Sequence, residues 1–106
     1  AQFHQRYDIF LTPTLGAPPV ELGYLASTTA QPMLAFERAI EYVPYTPVQN
    51  VTGQPAMSVP LYWTDAGLPL GAHFVAANNA EATLFRLAAQ LEDARPWAAK
   101  RPPGSA

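Results

Sequence analysis

Two neighbouring segments, residues 56–62 and 70–76, are apolar at nearly every position. Neither segment alternates between apolar and polar residues, so we expect strands that are buried on both faces, as in a layered α/β sheet. The connection between them contains Asp65 and Gly67, and glycine readily adopts the positive φ of a tight turn. The pattern therefore predicts a β-hairpin over about 56–76.

Apolar residues then recur at three- and four-residue spacing, which predicts a helix over about 79–93 with one face against the hairpin. Asn78 stands where it can cap this helix, and Glu81 stands where it can complete a capping box. Pro96 ends the pattern. We expect a core shared by the helix and the hairpin, formed by Leu84, Leu87, Leu91, Val59, Phe74 and either Leu61 or Leu70.

The N-terminal third of the chain has shorter patterns. Residues 1–6 resemble the end of a helix, and residues 9–11 form a short apolar strand that Pro13 stops. Residues 16–29 are rich in Gly, Pro, Ser and Thr, which predicts a long irregular connection. Connections of this length are usually functional or mobile.

A second helix is predicted from residue 31 to about residue 42, with an apolar face toward the protein. The predicted apolar face consists of Met33, Leu34, Phe36, Ala39 and Ile40, and the predicted solvent face consists of Glu37, Arg38 and Glu41. Pro44 and Pro47 are expected to end this helix, which leaves residues 44–54 as a loop. The segment 95–106 is predicted to be a Pro-rich tail that frays.

Composition adds one expectation and removes several function classes. Only 13% of the 106 residues are charged and 49% are hydrophobic, whereas a typical globular protein has about 25% charged residues. We therefore expect much of the surface to contact other protein, unless twelve prolines and many alanines simply dilute the charges. A net charge of −2 with scattered arginines disfavours nucleic-acid binding, and no apolar run is long enough to span a membrane.

The N-terminus of the chain suggests its cellular compartment, whereas the lack of cysteine does not fix it. The N-terminal residues do not have the pattern of a signal peptide, so we expect a cytoplasmic protein. The chain does not begin with methionine, which is consistent with a piece of a longer protein. Without cysteine there is no disulfide and no thiolate metal site.

The candidate nucleophiles and bases are few. They are the serines Ser27, Ser58 and Ser105 and the histidines His4 and His73. Ser58 lies inside a predicted strand, where we expect its hydroxyl to bond a backbone group. His73 lies in the middle of the next strand and is expected to be a hydrogen-bonded packing residue. Because a serine triad also needs a group that orients the base, and no residues show the spacing of a metal site, the residues indicate no catalytic group, metal or cofactor.

Four motifs resemble the C-terminal part of the amidase-signature enzymes, which hydrolyse carboxylic amides. Residues 50–60 read NVTGQPAMSVP, a loop with glycine and proline that leads into a short strand. Residues 7–14 read YDIFLTPT, residues 65–71 read DAGLPLG and residues 81–88 read EATLFRLA. The resemblance implies an α/β fold, in which residues 1–94 form the C-terminal part of a mixed-sheet amidase domain.

The resemblance also implies where the chemistry lies. Members of this family use a serine nucleophile, a second serine after a cis peptide bond, a lysine base and a glycine-rich oxyanion hole. This chain has no Ser-Ser pair, and Lys100, its only lysine, lies in the polar tail. No catalytic residue is therefore carried over, and we expect the chain alone to be inactive.

The resemblance implies a supporting role for this segment. It is expected to complete the central sheet and to form part of the acyl side of the pocket through residues 44–54, with Tyr45 and Gln49 as the substrate-binding candidates. Simple loop-to-core packing is the alternative for both residues. The expected partners are the small amide substrate and the remainder of the amidase chain, or a second copy paired through the sheet.

Two other function classes remain open. One is an independent α/β binding or interaction module, which would explain a chain without a catalytic set. The other is a self-contained hydrolase that uses Ser58 with a histidine.

Overall fold

A computed structural model describes residues 2–102 and Gly104. Ala1, Pro103 and Ala106 lie outside the described residues, as does the candidate nucleophile Ser105. After a single 3-10 turn over Phe3–Gln5, the regular elements follow in the order β1 (Ile9–Pro13), α1 (Leu34–Tyr42), α2 (Pro47–Thr52), β2 (Ala56–Trp63), β3 (Pro69–Ala76) and α3 (Glu81–Ala94). The predicted α/β fold, the hairpin and the helix that follows it are confirmed.

The three strands form one antiparallel sheet in the order β1-β3-β2. The central strand β3 is buried over its second half, but Val59 is the only buried residue of β2. The prediction that both hairpin strands are buried on both faces is therefore wrong for β2, an edge strand whose Ala56, Ser58 and Tyr62 are exposed. An edge position also explains Pro60, since proline cannot donate a ladder hydrogen bond.

The turn of the hairpin uses the residues that the sequence indicated. Gly67 has a φ of 80°, and its N–H donates to the Thr64 carbonyl at 2.8 Å. The Thr64 hydroxyl accepts from the Leu68 N–H at 3.1 Å. The left-handed backbone at Gly67 is the reason for glycine at this position.

The core lies between the hairpin and α3. Its buried members are Val59, Phe74, Ala76 and Leu84, and the residues packed against them are Ile9, Met57, Leu61, Ala72, Ala80, Leu87, Leu91 and Trp97. The predicted core is therefore confirmed, with Leu61 rather than Leu70 as its further member. Trp97 lies in the predicted tail but packs against this core.

The start of α3 differs from the predicted capping box. The helix begins at Glu81, and Ala80 is its N-cap residue without a side-chain hydrogen bond. Asn79 has a φ of 63°, a left-handed conformation that asparagine tolerates better than most residues. The chain therefore turns at Asn79, so neither Asn78 nor Glu81 closes the predicted box.

Helix α1 is shorter than predicted, and its apolar stripe is exposed. The side chains of Met33, Phe36 and Ile40 are 56%, 60% and 57% exposed. Arg38, predicted to face solvent, is half-buried and donates to the Tyr24 carbonyl, with its guanidinium 4.6 Å from the Tyr24 ring centre. The prediction of an inward apolar face is therefore wrong for Met33, Phe36 and Ile40, whereas Leu34 and Ala39 are half-buried.

Candidate functional site

The segment predicted to be a loop at residues 44–54 contains the short helix α2. Pro47 is at the start of this helix, where its missing N–H has no intrahelical partner to lose. Gly53 ends it with a φ of 69°, and its N–H donates to the Gln49 carbonyl at 2.8 Å. Pro47 was expected to end a helix and instead begins one. We call residues 43–53 the α1–α2 elbow.

The residues that flank the α1–α2 elbow on either side are hydrogen-bonded to the rest of the fold. The N–H of Gly16 donates to the carbonyl of Tyr42 at 2.9 Å, and a Cβ on Gly16 would lie only 2.6 Å from the carbonyl oxygen of Glu41. At the other end, the side-chain amide of Gln54 donates to the Ala76 carbonyl at 3.4 Å, and the Ala76 N–H donates to the Pro55 carbonyl at 3.0 Å. The elbow is thus fixed to β3 and to the segment after β1.

Tyr45 and Gln49, the two predicted substrate-binding residues, lie within this elbow. Tyr45 is half-buried, and Gln49 is only 9% exposed. With its nitrogen facing the backbone, the Gln49 side-chain amide donates to the carbonyls of Tyr45 and Thr46 at 3.0 and 3.2 Å. Val48 and Val51 are exposed on the same short helix.

A row of polar side chains crosses the sheet on the face opposite Phe74. A hydrogen bond of 3.1 Å joins the Thr12 hydroxyl to Nδ1 of His73, and a second bond joins the hydroxyls of Thr14 and Ser58. His73 is 5% exposed, and this burial lowers its pKa. The prediction for His73 is confirmed, whereas the backbone partner predicted for Ser58 is wrong because its partner is a side chain.

Sequence reasoning missed the role of the YDIFLTPT motif in this row. Thr12 lies in β1, and Thr14, two residues later, follows the end of β1, with its N–H donating to the Gly71 carbonyl at 3.1 Å. A Cβ on Gly71 would lie 2.5 Å from the Thr14 hydroxyl oxygen and 2.6 Å from that of Ser58. Glycine at position 71 thus leaves room for the hydroxyls of Thr14 and Ser58. The two-residue spacing of Thr12 and Thr14 was the sequence signal from which this polar row could have been predicted.

The hydroxyl row does not supply a serine triad. The strand register places Ser58 directly opposite His73, but their hydrogen bonds run to Thr14 and Thr12 instead. Within residues 2–102 and 104, neither side chain bonds to a carboxylate that would orient the imidazole. The self-contained hydrolase built on Ser58 is therefore disfavoured.

Of two open clefts among the described residues, one borders the α1–α2 elbow at Thr52. The smaller cleft, of about 220 Å³, is lined by residues 15–19 and 69–71. The larger cleft, of about 410 Å³, is lined by His4, Thr52, Gln54, Ala77 and Asn78. Neither cleft includes Tyr45 or Gln49. Among the described residues there is no group of His, Cys, Asp or Glu that could hold a metal ion, and no described helix is long and apolar enough to cross a membrane.

Comparison with known proteins gives one consistent result. Residues 1–85 match a family model described as Amidase. Over 98 residues the chain is 45% identical to "Putative amidase AmiC" of Mycobacterium leprae (strain TN), a match over 92% of this chain and 20% of the relative. Over 101 residues it is 35% identical to the 6-aminohexanoate-cyclic-dimer hydrolase of Paenarthrobacter ureafaciens, over 91% of this chain and 20% of that protein.

A solved structure agrees with these sequence matches. The fold is similar to that of 6-aminohexanoate cyclic dimer hydrolase complexed with substrate, with a TM-score of 0.85 and 33% identity. The match covers 96% of this chain and 22% of that structure. The chain thus spans about a fifth of the length of the relatives that it matches.

Proposed function

The chain belongs to the amidase family, and from that premise we infer that the full-length protein hydrolyses carboxylic amides to an acid and an amine. This segment is its C-terminal portion, which completes the sheet and forms part of the acyl pocket. The observation that carries the proposal is the family match over residues 1–85, together with the close structural similarity to an amide-hydrolysing relative.

The reaction that we propose proceeds through an acyl-enzyme. A serine hydroxyl loses its proton to a base and attacks the amide carbon, and the amine leaves after it receives that proton. Water then hydrolyses the ester and releases the acid. In our proposal the attacking serine and its base lie outside this chain, because the Ser58 hydroxyl and the His73 imidazole are hydrogen-bonded to threonine side chains. The ammonium of Lys100 lies 5.1 Å from the Trp63 ring centre, and no hydrogen bond joins it to a serine within the described part of the chain.

We propose that the α1–α2 elbow, which carries Tyr45 and Gln49, forms part of the acyl pocket and that Tyr45 contacts the acyl group. The α1–α2 elbow exposes apolar side chains at Val48 and Val51 and has no charged residue from 43 to 53. An uncharged, hydrophobic acyl group suits such a wall, because an ionised group there would lack a partner. A test panel should include linear carboxylic amides, which we favour, and a cyclic amide such as the one in the relative's name.

The partner that we propose for the exposed apolar surface is the remainder of the amidase chain. Large apolar residues with more than half of their surface exposed occur on β1, α1, α2 and α3: Leu11, Phe36, Ile40, Val48, Val51 and Phe85. Apolar surface of this extent usually contacts other protein. If the 106-residue chain is isolated, we expect it to self-associate through its sheet, because both outer strands have free edges.

A labelling experiment tests the proposal. The full-length protein is treated with a serine-directed fluorophosphonate, and the modified peptide is identified by mass spectrometry. We expect one modified serine upstream of Ala1 and loss of amide hydrolysis in step with labelling. The Ser58→Ala variant serves as the control and should be labelled like the wild type. Stoichiometric modification of Ser58 would refute the proposed location of the chemistry.

A further inference from the structure

Gln49 is a buried polar side chain whose amide nitrogen has two hydrogen-bond partners in the protein. Gln49 and His73 are the two buried polar residues in the described part of the chain. A buried amide without partners would be unfavourable, but the Gln49 amide nitrogen has two, the carbonyls of Tyr45 and Thr46 at 3.0 and 3.2 Å. The side chain is therefore directed into the elbow rather than toward a ligand.

The α1–α2 elbow is short of its own backbone donors. Pro44 and Pro47 have no N–H, and both lie in the turn between the two helices. Thr46, the N-cap residue of α2, makes no side-chain capping bond. A side-chain NH₂ carries two donors, so Gln49 supplies two hydrogen bonds just where the two prolines supply none.

We propose that Gln49 is a positioning residue for Tyr45. Its side-chain amide donates to the carbonyls of Tyr45 and Thr46, and its backbone carbonyl accepts from the Gly53 N–H at the end of α2. The backbone at Tyr45 is thus held to the helix that follows, which sets the direction of the Tyr45 ring. This inference rests on the proposed function, in which Tyr45 contacts the acyl group, and it gives Gln49 an indirect role there.

The proposal predicts an effect that depends on the size of the acyl group. An amide with a large apolar acyl group, such as phenylacetamide, would reach Tyr45 and would be bound less well when the elbow loosens. Acetamide has an acyl group too small to fill that wall, so its binding should not depend on Gln49. A residue that acts only on overall stability would affect both substrates equally.

The test uses the full-length protein and the same amide-removing substitution at two glutamines. Gln49→Met keeps the length of the side chain and removes both donors, whereas Gln90→Met makes the same change at an exposed position on α3. Two hydrogen bonds of ordinary net strength correspond to about a tenfold change in affinity. We expect Gln49→Met to raise KM for phenylacetamide by about that factor, with KM and kcat for acetamide unchanged. Gln90→Met should leave KM and kcat unchanged for both substrates.

A double-mutant cycle separates an indirect role from direct contact. If Gln49 acts through Tyr45, adding Gln49→Met to Tyr45→Ala should raise KM for phenylacetamide by less than about twofold. If Gln49 contacts the substrate directly, the two effects should multiply, and that result would overturn the proposal. If Gln49→Met is poorly folded, Gln49→Asn takes its place. This variant keeps the amide but shortens its reach, so it should also raise KM for phenylacetamide and leave KM for acetamide unchanged.

The outcomes distinguish this proposal from the function on which it rests. A wild-type protein that hydrolyses neither amide would remove the proposed function, and the positioning role with it. A wild-type protein that hydrolyses both amides, with equal losses for the two substrates in Gln49→Met and Gln49→Asn, would overturn the positioning role alone.

Discussion

The attachment of α3 to the hairpin can be tested by truncating side chains on its opposite faces. Leu84 is 5% exposed and belongs to the buried core, Leu87 is half-buried against that core, and Phe85 is 76% exposed. Removing a fully buried leucine side chain typically destabilises a protein by about 2–5 kcal/mol. We expect Leu84→Ala to lower the free energy of unfolding by about 3 kcal/mol, and Leu87→Ala by roughly half of that because less of its surface is lost.

The same helix provides a matched control. Phe85→Ala removes a larger side chain than Leu84→Ala, but from the exposed face, so we expect a change within about 0.5 kcal/mol. If size alone decided the effect, Phe85→Ala would be the more damaging substitution. The order Leu84, Leu87, Phe85 is therefore specific to the observed orientation of α3.

Urea unfolding of the 106-residue chain, followed by tryptophan fluorescence, measures this order. Trp97 packs against the same core, so its emission reports on the docking of α3. With an m-value of about 1.5 kcal/mol per molar urea, a loss of 3 kcal/mol lowers the midpoint by about 2 M. The unfolding should be measured at several protein concentrations to separate self-association from folding. An effect of Phe85→Ala as large as that of Leu84→Ala would refute the packing described here.

Three further predictions concern the sheet and the assembly. Gly71→Ala should lower the free energy of unfolding by about 1–3 kcal/mol, because its Cβ would meet the hydroxyls of Thr14 and Ser58. Calorimetry of the full-length variant measures this loss, and an unchanged melting temperature would contradict it. Burial lowers the pKa of His73, so the unfolded chain binds this proton more tightly and the free energy of unfolding should fall as pH drops from about 7 to 5. His73→Gln should remove that part of the pH dependence, and an unaltered pH profile would count against a buried neutral imidazole. Sedimentation of the isolated chain at micromolar concentration should show self-association, whereas a monodisperse monomer with a cooperative melt would favour the independent module.

Elements defined by local pattern were predictable from the sequence. The hairpin follows from two apolar runs around a turn with Gly67, and α3 follows from the spacing of Leu84, Leu87 and Leu91. Each of these signals arises within one segment and depends little on distant residues. The periodic apolar residues of α1 were also identified correctly, but Met33, Phe36 and Ile40 are exposed in this chain, and periodicity alone does not specify what a helix face packs against.

Features set by tertiary context were not predictable in the same way. Pro47 was interpreted as a helix breaker, although proline is equally suited to the first turn of a helix, and only the fold distinguishes the two. The Thr14–Ser58 pair depends on strand order and register, which a single sequence does not specify. Tyr45 and Gln49 were selected together as substrate residues, but the inward orientation of the Gln49 amide becomes visible only when the elbow is folded.

The division of labour between this segment and the rest of the amidase is tested most directly by amide hydrolysis. Turnover should be measured for the full-length protein, for its Ser58→Ala variant and for the isolated 106-residue chain, with the same panel of linear and cyclic amides. We expect the full-length protein and its Ser58→Ala variant to hydrolyse at least one amide at equal rates, and the isolated chain to hydrolyse none. Turnover by the isolated chain that disappears with Ser58→Ala would contradict the assignment of the chemistry to another part of the protein.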